Sequence, residues 1–163
     1  MSIAVSAKGV VIRPKTTNYN HLSNMPKIIN LTITTPERIV FQDQVNEVVL
    51  PTMQGEIGIL PNHIPLVAVL SAGEIRITKG QELISMAVSA GFIQVKPDQV
   101  IVLADTAERS GEIDEARAEE ARQKAKELLT QKHVEAVDFA TLSAKLEKEL
   151  ARLRVVRKKR RHI

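Results

Sequence analysis

The sequence predicts an all-β N-terminal sandwich or barrel followed by a C-terminal antiparallel α-helical hairpin. Three observations predict this fold class. Short β-rich runs follow one another through residues 29–103, separated by turn signals and with no helical pattern between them. At Ser110-Gly111 the apolar spacing changes to the three- and four-residue steps of a helix. A polar break at residues 130–133 then divides the helical region into two.

The β-rich part, residues 27–109, begins with an alternation. Ile29, Leu31 and Ile33 are separated by polar residues, which is the two-residue repeat of a half-buried strand. Turn signals such as Lys79-Gly80 separate the runs that follow. Without intervening helices, such strands should pair as an antiparallel sandwich or barrel. The further strands are predicted at residues 37–41, 45–50, 66–70, 74–78, 83–89, 92–95 and 100–103.

One stretch, residues 54–77, superficially resembles a phosphate-binding loop beside a general base. A Walker-type loop needs Gly-Lys-Ser/Thr at the start of a helix, and nothing of this kind follows Gly58. Glycines that flank β-runs are normally bulges or turns, and Pro61 and Pro65 suit strand ends. We therefore expect His63 to be a hydrogen-bonded corner residue, and the stretch to turn corners and shape a binding edge.

The helical region, residues 110–157, should form two amphipathic helices. Glu112, Asp114 and Glu115 suit the positive end of a helix dipole. Two helices with a short connection form an antiparallel hairpin. The alanine-rich first stripe buries little area, so we expect a marginally held hairpin that is able to move. The predicted buried stripes are Ile113, Ala116, Ala121, Ala125 and Leu128 on the first helix, and Phe139, Leu142, Leu146, Leu150 and Leu153 on the second.

Charge is divided unevenly along the chain, whose formal net charge is +4. Residues 27–110 carry six Lys/Arg against nine Asp/Glu, and residues 111–149 carry seven against ten, so each segment has a net charge of −3. Residues 150–163 carry seven basic residues and no acid, and they end in a basic tail, residues 158–163. A basic tail of this kind serves solvation or a loose electrostatic partner.

Several classes of protein are disfavoured by composition. The chain has no cysteine, which excludes thiolate catalysis, disulfides and Cys-ligated zinc. No run is apolar enough to span a membrane, and the leader, residues 1–26, lacks the pattern of a secretory signal. The leader is either a disordered extension, or translation starts at Met25. No catalytic residues and no metal cluster are predicted.

The chain resembles the epsilon subunit of F-type ATP synthases over about residues 27–155. The resemblance lies in EVVLPTMQGEIGILPNHIPLVAVLSAGEIRI and in VSAGFIQVKPDQVIVLADTAERSGEID. Ala90-Gly91-Phe92 stands where the family commonly has two glycines before the phenylalanine. The leader has no counterpart in the family, and the basic tail is longer and denser than usual.

The resemblance implies a non-catalytic subunit of the central stalk. The family's sandwich binds the gamma subunit and rests on the ring of membrane c subunits, which couples proton-driven rotation to ATP synthesis on the beta subunits. Its hairpin either folds down on the sandwich or extends along gamma, where it blocks ATP hydrolysis. The implied location is peripheral, on the cytoplasmic side of the cell membrane. By the same resemblance, Lys145, Lys148, Arg152 and Arg154 would face acidic loops of the beta subunits.

The resemblance also implies a regulatory ATP, although no cofactor is required. The sequence IDEARA, residues 113–118, matches the motif with which some bacterial members bind ATP, and Asp114 and Arg117 are three residues apart. A carboxylate can accept from an adenine amine, and a guanidinium can bind phosphate with two parallel hydrogen bonds. Glu108, Lys148 and Arg152 match the family's other positions, whereas Lys124 stands where nucleotide-binding members often carry arginine.

Two other classes compete with this interpretation. A nucleic-acid-associated protein would act through the basic tail, but four aromatic residues make a poor stacking platform and the sandwich is acidic. We therefore expect no nucleic-acid partner. An enzyme centred on His63 would need a nucleophile, and Ser71 lies in no elbow motif.

Overall fold

The structure, a computed structural model, describes residues 28–130 and 136–160. Ten strands precede two helices in this part of the chain, so the predicted fold class is confirmed. The leader and the last three residues of the predicted tail lie outside the described residues. The strands are β1 Ile29–Thr34, β2 Ile39–Val45, β3 Glu47–Thr52, β4 Gly55–Ile59, β5 Leu66–Leu70, β6 Gly73–Lys79, β7 Glu82–Val88, β8 Gly91–Lys96, β9 Gln99–Ala104 and β10 Ala107–Arg109. The helices are α1 Glu115–Leu129 and α2 Ala136–Arg160.

The strands form two groups that meet at one residue pair. The first sheet has the order β10-β7-β6-β3-β4, and the second sheet has the order β5-β8-β9-β1-β2. Thr52 of β3 opposite Leu70 of β5 is the pair that joins them. Buried side chains of both sheets, such as Ile75 and Ile93, belong to one hydrophobic cluster, which is the core of the sandwich.

The predicted antiparallel pairing holds between the described strands except at one pair. β1 pairs with β9 in parallel, with Leu31 opposite Val100 and Ile33 opposite Val102. Parallel pairing needs a long connection, and seven strands separate β1 from β9 along the chain. The alternation in β1 predicted a strand with one buried face, and this is confirmed because Ile29, Leu31 and Ile33 are all buried.

One strand within residues 54–77, β4, was not among the predicted strands. Gly58 lies within β4, which pairs with β3 along its whole length. β4 has the sequence GEIGI, and two glycines in five residues hide its strand propensity. The corner itself lies at residues 60–65, where Asn62 has a φ of 65° and donates its backbone N–H to the carbonyl oxygen of Pro97.

Gly91 is required by close backbone approach. A Cβ atom at this position would lie 2.0 Å from the carbonyl oxygen of Leu103, on the paired strand β9. A backbone oxygen cannot move aside as a flexible side chain can. The packing therefore requires glycine at position 91, whereas position 90 carries alanine.

The two helices run antiparallel. Arg157, near the end of α2, pairs with Glu115 and Glu119 in the first turns of α1. The predicted helical stripes are only partly correct: Ala116 is exposed and Ala118 is buried, while Phe139 and Leu150 are exposed. α2 also extends to Arg160, so that Lys158 belongs to this helix and not to a separate tail.

The buried residues of α2 differ from the predicted stripe because this helix packs against two different neighbours. It packs against α1 on one side and against β6 and β7 on the other, so a single heptad stripe does not describe its burial. Ala151, Leu153 and Val155, close together along the chain, are all buried. No helix of the described residues is long and apolar enough to span a membrane.

Candidate functional site

The hairpin contacts the sandwich through a small apolar patch. Val155 of α2 is fully buried against Ala87 of β7 and Ile113, and Val156 packs at its edge. The patch contains no aromatic or other very large side chain, so the apolar area that holds the hairpin is small. Burial of one valine contributes about 1.5–3 kcal/mol. Polar contacts are therefore a substantial part of what holds α2 on the sheet.

The first polar contact is the ion pair of Arg152 with Glu108. The Nε atom of Arg152 donates to Glu108 Oε2 of β10 at 3.0 Å, and Nη1 donates to Glu149 Oε2 on the same helix at 2.7 Å. Burial of the guanidinium lowers the pKa of Arg152, but the carboxylates of Glu149 and Glu108 outweigh burial and raise this pKa above its ordinary value. Glu108 and Arg152, two of the predicted nucleotide residues, thus neutralise each other across the interface.

The second polar contact is formed by Lys158. Its Nζ atom donates to Glu74 Oε2 of β6 at 2.9 Å, and the hydroxyl of Ser85 donates to the other oxygen of Glu74, also at 2.9 Å. The Glu74 side chain is only 6% exposed, whereas that of Lys158 is 40% exposed. The pair spans 84 residues of sequence, and no local pattern in the chain indicated it.

A third ion pair borders this interface within the first sheet. Arg76 of β6 donates two parallel hydrogen bonds to Glu56 of β4, at 2.9 and 2.8 Å. The hydrogen bond from Arg76 lowers the pKa of Glu56, and the nearby charges of Lys158 and Arg154 on α2 lower it further. The end of α2 therefore lies in the electrostatic field of the first sheet.

Asp114 lies at the start of α1, as its place in the acidic first turn predicted, and its role as a nucleotide ligand stays a prediction. Asp114 is the N-cap residue, and its carboxylate accepts from the backbone N–H of Arg117 at 3.1 Å. A capping carboxylate stabilises the start of a helix by about 1 kcal/mol. The Arg117 side chain is exposed, and it forms no ion pair with any other described residue. The contact between these two residues is therefore a cap and not a side-chain ion pair.

The four basic residues predicted to face acidic loops do not share one face of α2. Successive helical residues are rotated by about 100°, so Lys145, Lys148 and Arg152 lie on one side, and Arg154 lies about 200° from Arg152. Lys145 is exposed and Lys148 is half-buried. Arg152 contacts the sandwich, whereas Arg154 lines a cleft between α1 and α2. The structure brings Glu108 together with Arg152, and it separates Arg154 from the other three basic residues.

A second candidate site is an exposed apolar row on the second sheet. Val69 of β5, Phe92 of β8 and Leu103 of β9 stand directly beside one another in register, and all three are exposed. Val67 and Met53 extend the row along a shallow cavity. Contiguous exposed apolar surface is unusual on a monomer and marks interaction sites. These residues were not predicted as a site, although apolar residues on both faces of a strand were a usable signal.

The corner at residues 60–65 presents a smaller apolar surface. Leu60 and Ile64 are exposed, and His63 is half-buried between them. The ring of His63 donates from Nδ1 to the carbonyl oxygen of Ile64 at 2.8 Å, and its backbone N–H donates to the carbonyl oxygen of Leu60. Both bonds are internal to the corner, as expected for a residue that shapes the backbone.

Comparison with known proteins gives consistent matches. The family profile described as ATP synthase, Delta/Epsilon chain, beta-sandwich domain matches residues 28–110, and the profile of the long alpha-helix domain of the same chains matches residues 112–157. The ATP synthase epsilon chain of Dehalococcoides mccartyi is 46% identical over 134 residues, which cover 82% of this chain and 96% of the relative. The epsilon chain of Chloroflexus aggregans is 47% identical over 127 residues, covering 78% of this chain and 91% of the relative.

A solved structure is similar in fold. A chain in the mitochondrial ATP synthase of Euglena gracilis, determined as its OSCP/F1/c-ring part, superposes with a TM-score of 0.69 at 24% identity. The superposition covers 78% of this chain and 81% of that chain. At this identity the likeness concerns the fold.

Proposed function

The chain belongs to the family of ATP synthase epsilon chains, and we propose that it docks on the rotor through its sandwich and restrains ATP hydrolysis through its hairpin. An epsilon chain is a subunit of the central stalk. Catalysis is proposed to lie on the beta subunits, with this chain as a non-catalytic partner. Its contribution would be to couple proton-driven rotation to ATP synthesis.

The observation that carries the proposal is the separation of two surfaces. The hairpin packs on β6 and β7 of the first sheet, while the apolar row of Val69, Phe92 and Leu103 lies on the second sheet. A partner could therefore bind the row while the hairpin stays docked. We assign the gamma subunit to this row, because a stable protein contact needs an apolar centre with large side chains such as phenylalanine.

The ring of membrane c subunits is proposed to meet the corner at residues 60–65. Leu60 and Ile64 are exposed there, and their backbone is held by the hydrogen bonds of Asn62 and His63. A rigid, exposed apolar corner suits a contact that must transmit torque. The chain would then be a peripheral protein on the cytoplasmic side of the cell membrane, held there by its partners.

The hairpin is proposed to alternate between the docked position and an extended one in which it contacts the beta subunits. Docking depends on one small apolar patch and on the ion pairs of Arg152 and Lys158. An acidic loop of a beta subunit could replace Glu108 and Glu74 as the partner of these cations, so that the exchange of partners costs little. Lys145, Lys148, Arg152 and Arg154 are the proposed contacts, divided over two faces of α2.

Regulatory ATP at the head of α1 is a further part of the proposal. Asp114, Arg117, Glu108, Lys148 and Arg152 remain the proposed ligands, but binding would have to open the ion pair of Arg152 with Glu108. The phosphates would replace one carboxylate as the partner of this guanidinium. A ligand that contacts both helices favours whichever hairpin position brings its contacts together.

Co-purification with a tagged gamma subunit tests the docking surface. Phe92→Asp should abolish the stoichiometric complex, because a buried, unpaired carboxylate would replace the centre of the apolar row. Leu83→Asp is the matched control, since Leu83 is 61% exposed and Phe92 is 58% exposed, and Leu83 lies on β7 of the first sheet. Normal complex formation by Phe92→Asp, or equal loss with Leu83→Asp, would contradict the assignment of gamma to the second sheet.

A further inference from the structure

The two helices enclose a cleft of about 750 Å³. Four basic side chains line it: Arg122 from α1, and Arg154, Arg157 and Lys158 from α2. Leu150 and Leu153 form its apolar part, and Glu119 is the one carboxylate among the described residues of the lining. The volume lies within the range of small-molecule sites, about 300–1,000 Å³.

We propose that this cleft binds a multiply charged phosphate anion, such as a chain of linked phosphates. Three of the four cations are arginines, whose guanidinium groups match phosphate oxygens with parallel hydrogen bonds. They are divided between the helices, so a single phosphate group is a poor match for all of them. A chain of phosphates is long enough to contact Arg122 of α1 and Arg154 of α2 together.

One cation of the cleft takes part in no ion pair with the described residues. Glu119 pairs with Arg122 and Arg157, Glu115 also pairs with Arg157, and Glu74 pairs with Lys158. Arg154 has no carboxylate oxygen of the described residues within 4.0 Å; its charge acts on Glu56, but the hydrogen bonds of Glu56 come from Arg76. The guanidinium of Arg154 can therefore turn to a ligand without breaking an ion pair.

The basic side chains of the cleft produce a positive electrostatic field at the carboxylate of Glu119. The hydrogen bond from Arg122 lowers the pKa of Glu119, and the charge of Arg157 lowers it further. Both arginines are partly exposed, with side-chain accessibilities of 29% and 59%, so they can turn from Glu119 to an anion without breaking a packed core. A multivalent anion can thus recruit Arg122 and Arg157 in addition to Arg154.

This cleft is separate from the proposed ATP site at the head of α1. None of Glu108, Asp114, Arg117, Lys148 and Arg152 lines it. On α2, Arg154 lies about 200° around the axis from Arg152. The inference therefore goes beyond the proposed function and does not depend on it.

A bound anion would stabilise the docked hairpin. It would connect α1 to α2 next to Lys158, which pairs with Glu74 of the sandwich. A ligand that binds only the folded arrangement stabilises that arrangement by mass action. We therefore expect the melting temperature of the hairpin to rise with the concentration of the anion.

Calorimetric titration of the full chain tests the proposal, with inorganic tripolyphosphate and ATP as separate ligands. Arg154→Gln should weaken the binding of both ligands by about ten- to a hundredfold, the loss expected for one charge-assisted contact. This variant should fold normally, because Arg154 is exposed and no ion pair to the described residues is lost. Arg122→Gln, on the opposite wall of the cleft, should also weaken binding.

Arg38→Gln is the control, because it removes the same charge from an exposed position of the sandwich that belongs neither to the cleft nor to the proposed ATP site. It should leave the binding of tripolyphosphate unchanged. Equal weakening by Arg38→Gln and Arg154→Gln would indicate a general charge effect, and weakening by Arg117→Gln without weakening by Arg154→Gln would place the phosphates at the head of α1. Each of these results would overturn the proposal. So would binding of ATP without tripolyphosphate, binding of an acidic peptide without either phosphate ligand, or no binding at all.

Discussion

The ion pair of Arg152 with Glu108 offers a measurable test of how the hairpin is held. Arg152→Gln removes the guanidinium that connects α2 to β10, and Glu108→Gln removes its partner from the opposite side. We expect each substitution to favour release of α2 from the sheet. The double variant should be no more easily released than either single variant, because both remove the same interaction.

The magnitude follows from geometry and exposure. The second contact of Arg152, with Glu149, lies within α2 and persists when the helix undocks, so that docking gains only the 3.0 Å contact with Glu108. A hydrogen bond between charged groups contributes about 1.5–3 kcal/mol, and an exposed ion pair about 0.2–1 kcal/mol. The side chains are 15% and 31% exposed, which places this pair between the two cases, at about 1–2 kcal/mol. The docking equilibrium should therefore change by roughly five- to thirtyfold.

Amide hydrogen exchange reports this equilibrium, because the end of α2 loses the tertiary packing that supports its helix when it leaves the sheet and then opens more readily. Protection around Val155, at the centre of the docked patch, should fall by the same factor in either single variant. Val102 in β9 provides an internal reference whose protection should stay constant. Arg117→Gln is the matched variant, since it removes an arginine that makes no ion pair with the described residues.

Two results would refute the reasoning. Unchanged protection around Val155 in both single variants would mean that the ion pair contributes nothing to docking. A parallel loss of protection at Val102 would mean that the substitutions destabilise the whole sandwich and do not act on the hairpin.

Three further predictions concern the two units and their electrostatics. A fragment of residues 25–109 should fold alone and co-elute with gamma, because its core lies between the two sheets; an aggregated fragment in thermal unfolding and gel filtration would contradict this. Truncation after residue 110 should raise ATP hydrolysis by the assembled enzyme in a steady-state assay, and an unchanged rate would show that the hairpin does not restrain this enzyme. The lowered pKa of Glu56, caused by the hydrogen bond from Arg76, means that the pair stabilises the fold above the ordinary Glu pKa and that this stabilisation is lost as pH falls through the lowered value. The melting temperature of the chain should therefore exceed that of Glu56→Gln at pH 7 and converge with it in acid, and a constant difference down to pH 2 would contradict the assignment.

The order and type of the elements could be predicted because they follow from local periodicity. The alternation of Ile29, Leu31 and Ile33 identified β1, and all three side chains are buried. The change of period near residue 110 separated the strands from the helices. Two strands were missed: β10, which has only three residues, and β4, whose glycines mask a strand that is stabilised by pairing with β3 along its whole length. Pairing of this kind depends on a partner that local propensity does not contain.

The sequence by itself determined the alternation of the first strand, the change from strands to helices, and that an alanine-rich hairpin follows an acidic sandwich. Only the tertiary structure decided which surfaces meet. Arg152 and Glu108 are 44 residues apart and Lys158 and Glu74 are 84 apart, and nothing in either segment specifies its partner. The same is true of the second contact face of α2, where Val155 became a core residue because the helix lies on β6 and β7. Apolar periodicity in the sequence predicts that one face of a helix or strand is buried. Which other element covers that face depends on how all the elements pack together.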